Sequence, residues 1–144
     1  MTRYAEGTKV PVDRSVAEIR SHLKRWKGEG FFYQEDPDTG HVKIGFRMDS
    51  LFYRLNLPMP KRSAFRQETQ YDAEVRRRWR VLAAFTKSLL FGIEEGIVTA
   101  QEALLPFVIL KDGQTFAEML KNGTLNSMLA LPAGQATDAS TREV

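Results

Sequence analysis

The chain of 144 residues contains no cysteine, which removes disulfides, thiolate nucleophiles and cysteine-ligated zinc from consideration. It has only two histidines, His22 and His41, and neither stands in a spacing such as His-Glu-x-x-His that would bring two imidazoles to one metal. His22 reads as a surface helix residue and His41 as a strand-end residue. Apolar runs extend for only a few residues, and Met1–Gly7 carries Arg3 and Glu6 with no apolar segment behind it. The reading therefore predicts neither a signal peptide nor a membrane span, and places the protein in the cytoplasm. There is no Gly-x-Ser-x-Gly, no glycine-rich phosphate loop and no Walker pattern. Asp36, Asp38 and Gly40 mimic the start of a calcium loop, but the later ligands are out of place, so they read as a turn. Glu94 and Glu95 are adjacent and cannot converge on one substrate from a regular helix. An enzyme is thus unsupported, and no cofactor is expected.

What is present describes an ordinary globular chain, 42% hydrophobic and 27% charged. Its length fits one domain able to bury a core without crosslinks. The net charge of +3 hides a gradient. Residues 1–60 hold ten Lys/Arg against eight Asp/Glu, residues 61–90 eight against three, and residues 91–144 three against seven. The positive excess sits where the longest helical pattern begins, and such an excess attracts phosphates or an acidic protein surface.

That pattern is Tyr71–Glu95. Tyr71, Val75, Trp79, Leu82, Leu89 and Ile93 wind into one apolar stripe, with Arg76, Arg77, Arg80 and Lys87 off it. At about 1.5 Å per residue the rod is near 37 Å long, so the other elements must pack along it. Upstream, Ser15 and Glu18 form a capping-box pattern, and Val16, Ile19, Leu23 and Trp26 mark a helix that Gly28 and Gly30 stop. The period then changes to two. Phe31–Gln34, His41–Met48 and Leu51–Leu57 predict an antiparallel meander with one apolar and one basic face, turned at Glu35–Gly40 and at Asp49-Ser50. Downstream, Thr99/Glu102 and Thr115/Glu118 are further capping-box patterns that open two short helices, and Phe107–Leu110 is a candidate fourth strand. The expected architecture is α+β: a three-stranded meander on one long helix, with an N-terminal helix and two short C-terminal ones. Residues 1–131 form the single domain, and Pro132–Val144, without an apolar period, is read as a disordered tail.

Two basic features are candidate binding surfaces. On the outer sheet face His41, Lys43, Arg47 and Arg54 surround Phe52, with Phe32 or Tyr33 pointing the same way, an arrangement suited to a single strand whose phosphates meet cations while bases lie on rings. Cover by a helix would bury Phe52 instead. The other feature is Arg76-Arg77-Arg78-Trp79-Arg80, preceded by Lys61, Arg62 and Arg66. Arginines in the N-terminal half of a helix oppose its dipole, so an external or tertiary anion is expected beside them, and Asp72–Arg76 and Glu74–Arg78 are possible i,i+4 pairs. Arg78 must snorkel from the core edge or pair with an acid.

The opening Arg3-Tyr4-Ala5-Glu6-Gly7-Thr8 with Val10, the Asp13-Arg14-Ser15 entry to Ala17-Glu18-Ile19, the Arg76-x-Arg78-Trp79-Arg80 segment and Gly96-Ile97-Val98-Thr99 resemble a family of small uncharacterised proteins of bacteriophages, prophages and mobile elements. The resemblance spans most of residues 3–120 and implies a genomic setting, with no established activity. The expected function is non-catalytic binding of DNA or RNA through the basic surfaces. Alternatives are inhibition of a host protein with an acidic surface, such as a defence nuclease or polymerase, and assembly as a homo-oligomer.

Overall fold

The computed structural model describes residues 2–130. The expected tail, Pro132–Val144, lies outside them. Within them the chain forms α1 (Val12–Arg25), β1 (Glu29–Glu35), β2 (Val42–Met48), β3 (Leu51–Leu57), α2 (Glu68–Glu94), α3 (Ala100–Leu104) and α4 (Phe116–Lys121), an α+β architecture. The strands make an open antiparallel sheet in the order β1-β2-β3.

α1 begins one turn earlier than the Ser15/Glu18 pattern suggests. Pro11, fixed in extended geometry, occupies the cap position, so Ser15 lies inside the helix and its amide bonds to the Pro11 carbonyl at 3.3 Å. The Ser15 hydroxyl is buried without a partner. At the other end Lys27 takes the left-handed conformation (φ 74°), and the Gly28 amide reaches back to the Leu23 carbonyl at 2.7 Å, a Schellman closure. A side chain on Gly28 would put its Cβ 3.0 Å from that oxygen, so glycine there serves close packing while lysine carries the strained φ.

The meander follows the alternation. Val42, Ile44, Phe46 and Met48 of β2 and Tyr53, Leu55 and Leu57 of β3 are buried on the inner face. Leu51, beside the turn, stays exposed. Asp49 and Ser50 both adopt positive φ (52° and 66°), the twist that a two-residue hairpin turn needs. In the Glu35–Gly40 turn the Asp36 carboxylate accepts the Asp38 amide at 2.8 Å, as turn chemistry requires.

α1 and α2 lie side by side on the inner face and run parallel, since Glu18 pairs with Arg80, His22 with Thr86, and Arg25 with Glu94. Tyr33 meets Trp79 edge-on at 5.2 Å, and Trp26 lies 6.3 Å from Phe46. The deepest residues of α2 are Trp79, Leu82, Ala83, Thr86 and Leu90, a stripe rotated from the expected one. Val75, Leu89 and Ile93 flank it half-buried, because small Ala83 and Thr86 face α1 and let the helices approach.

Beyond α2 the chain turns back along β3. Both predicted capping boxes are formed, Thr99 with Glu102 and Thr115 with Glu118. The candidate fourth strand reduces to two isolated bridges, Val108 opposite Tyr53 of the sheet and Ile109 opposite Thr115, with the Ile109 amide donating to the Phe52 carbonyl at 2.7 Å. Pro106, which has no amide hydrogen, and the 3₁₀ turn Leu105–Phe107 stop a longer ladder from forming.

Candidate functional site

The arginine segment of α2 is largely satisfied from within. Glu74, only 8% exposed, lies three and four residues before Arg77 and Arg78, so all three fall on one helix face. Its carboxylate accepts from Arg77 at 2.9 and 3.0 Å, from Arg78 at 2.9 Å and from Arg3 of the N-terminal arm at 3.3 Å. Arg77 also donates to the Tyr4 carbonyl and Arg78 to the Pro58 carbonyl. Hydrogen bonds from Arg77 outweigh burial and hold the Glu74 carboxyl at about 2, while the same carboxylate raises the Arg77 guanidinium. Arg80 is taken up by Glu18, whose carboxyl is lowered chiefly by that hydrogen bond. The anion expected beside the arginines is therefore Glu74 together with Glu18, and the free basic helix face anticipated at Arg77 and Arg80 is an internal ion-pair network instead. The predicted Glu74–Arg78 pair is present, whereas Asp72–Arg76 is not among the ion pairs of the described residues. Arg76 stays half-buried and makes no ion pair there.

The outer sheet face is different. The register sets Phe32 opposite Gly45 and Gly45 opposite Arg54, with Gln34, Lys43 and Asn56 aligned in the next row and Arg47 opposite Phe52. Phe32 thus takes the outer face, and Tyr33 turns inward to Trp79. Phe32 and Phe52 are 58% and 61% exposed, so no helix covers them. They line a cleft of about 420 Å³ together with Gln34, Lys43, Gly45, Arg54 and Ile109. Its floor depends on the absence of a side chain, since a Cβ on Gly45 would meet the Phe32 ring at 2.5 Å.

The cations on this face are unequal. Arg54 is clamped by Glu118 at 2.6 Å and by the Gly113 carbonyl at 2.9 Å, and Asn56 donates to the same carboxylate at 2.9 Å. Burial would raise the Glu118 carboxyl, but Arg54, Asn56 and the Thr115 amide overcome this and bring it to about 2. Arg47 pairs with Glu29 at 2.7 Å, both in water, a contact that exchanges readily. Lys43 has no acidic partner among the described residues. His41, expected on this face, instead accepts the Met59 amide through Nδ1 at 2.9 Å.

On the connector between β3 and α2, Arg62 pairs with Glu68, while Lys61 and Arg66 are exposed with no acidic partner among the described residues. The structure thus brings Lys43, Arg47, Phe52 and Arg54 together on one face, places Lys61, Arg62 and Arg66 on the connector, and ties Arg77 and Arg80 into the α2 network. Phe32 was named in the sequence only as one of two choices, and Gly45 was missed. The usable signal was a glycine inside an alternating strand, which marks close approach of another group.

No set of three or more His, Asp or Glu side chains able to hold a metal occurs among the described residues. Nor is any described helix long and apolar enough to cross a membrane. No family model matches the chain, and no curated protein or solved structure matches it either.

Proposed function

We propose that the protein is a non-catalytic binding protein that holds single-stranded nucleic acid on its outer sheet face, serving a bacteriophage or mobile element. One observation carries this reading: two phenylalanine rings, both mostly exposed, stand beside a glycine-floored cleft with Lys43 at hand. Neighbouring solvent-facing rings on an open sheet leave apolar surface for a partner to cover, and bases stack on rings whatever their sequence. The internal pairing of the α2 arginines sharpens the expectation. With Lys43 and an exchangeable Arg47 as the main cations, about one or two phosphates are neutralised, so affinity should fall by only about 0.7–1.4 log units per log unit of salt. Fluorescence anisotropy with labelled single-stranded DNA and RNA at about 50 mM salt tests this. Absence of binding there would sink it.

A second reading, a protein partner such as a host target or another copy of the chain, is supported by a separate apolar groove. Leu105, Pro106, Phe116, Leu120, Leu125 and Leu129 line about 380 Å³ there, and Leu105 and Leu120 are more than half exposed. Affinity capture after nuclease treatment, with light scattering for self-association, decides between them.

A further inference from the structure

A cleft of about 550 Å³ opens between the β1–β2 turn and the connector that leads to α2, and several hydrogen-bond donors stand among the prolines and glycine of its walls. His41 is one whose proton is placed by the backbone. Because Nδ1 accepts the Met59 amide, the neutral ring must carry its hydrogen on Nε2, leaving a donor with a fixed tautomer. Lys61 is exposed without an acidic partner among the described residues. Arg62 spreads its guanidinium over the Tyr71 ring, 5.4 Å from the centroid, and is also paired with Glu68, which holds it at the cleft wall as a shared cation. The Ser63 and Tyr71 hydroxyls add donors, and the only carboxylate in the lining is that of Asp38. From this set we infer that the cleft is an anion site for a phosphate monoester carrying a neighbouring hydroxyl, the chemistry of a nucleotide. The phosphate takes Lys61, Ser63 and His41, with Arg62 turned to it only in exchange for Glu68, and the sugar hydroxyl donates to Asp38.

This site uses none of the outer-face residues and stands or falls independently of the single-strand reading. The experiment is an NMR titration of the full chain with sodium phosphate, then with a ribonucleoside 5′-monophosphate, against sodium chloride at equal ionic strength. The His41 ring and Ser63 amide signals should shift saturably with the nucleotide, and Lys61→Glu should weaken that response at least tenfold. Saturation by the nucleotide alone, reduced to the phosphate level in Asp38→Asn, would show the hydroxyl contact directly. Oligonucleotides with a 5′-phosphate and a 5′-hydroxyl then identify the source: tighter binding of the phosphorylated strand assigns the site to a strand end, equal binding to a free nucleotide. Shifts that merely follow ionic strength, or that are unchanged by Lys61→Glu, would overturn the proposal.

Discussion

The arginine face of α2 and the outer face of the sheet look equally basic in the sequence, yet they have opposite fates in the fold. On α2, Glu74 gathers Arg3, Arg77 and Arg78 at the joint of arm, helix and connector, while Glu18 takes Arg80 and ties α1 to α2. On the sheet, Lys43 remains open and the rings of Phe32 and Phe52 face water. A run of arginines is therefore not in itself a free basic surface. What matters is whether an acid lies within reach after folding, and burial strengthens such pairing by lowering the local dielectric.

The contrast is broken most severely at Glu74. Glu74→Gln leaves Arg77 half-buried without its counter-charge and should cost about 3 kcal/mol in chemical denaturation, at the low end for a broken buried pair because Arg3 and Arg78 remain partly in water. Arg76→Glu, two positions away and outside the network, should stay within about 0.5 kcal/mol. Equal losses in both variants would show that the Glu74 network has no special standing.

On the sheet the expectation reverses, with binding changing and stability not. Phe52→Ala should weaken single-strand affinity by about 1–3 kcal/mol, the contribution of one stacked base, with little change in melting temperature. Gly45→Ala should displace the Phe32 ring and reduce affinity as well, at a stability cost of about 1 kcal/mol because the ring can swing outward. A variant that binds normally would remove the cleft from the site.

Acid separates the regions by a smaller margin. Glu74 and Glu118 have folded values of about 2 against ordinary values of 4.5, so their stabilisation is complete above about 4.5 and is lost as pH falls towards 2. His22 acts earlier. Its burial between α1 and α2 lowers its pKa from the ordinary 6.5, so the unfolded chain takes up the proton first and stability declines as pH drops below 6.5. Denaturation midpoints measured between pH 7 and 3 should show both phases, and His22→Gln should remove the upper one. The smallest effect belongs to Ser15→Ala. Removing a buried hydroxyl that has no partner, inside a helix, should raise stability by about 0.5 kcal/mol.

Much of this architecture was legible in local pattern. The alternation in β2 and β3, the stripe Val16, Ile19, Leu23 and Trp26, and the Thr99 and Thr115 caps all form as expected, because each depends on neighbours within a few residues. What escaped depends on distant partners. Arg54 and Glu118 are 64 positions apart, so nothing local could show that a capping glutamate also clamps a sheet arginine. Ser15 and Glu18 have the spacing of a cap, but Pro11 and Arg80 determine what they do. The stripe of α2 rotated because α1 chose Ala83 and Thr86 as its contact, a tertiary preference for small residues that periodicity cannot carry.

The parallel pairing of α1 with α2 also bears on how the chain reaches this state. His22 and Thr86 are 64 residues apart, so their contact closes a long loop that contains the whole meander. Neither helix has the other as a sequential neighbour, so no helical hairpin can form first, and loop-closure entropy must be met before the core rewards it. Refolding should therefore run slower than in a helical bundle of equal length, with the hairpin at Asp49-Ser50 as the natural nucleus and the docking of α1 on α2 as a late step.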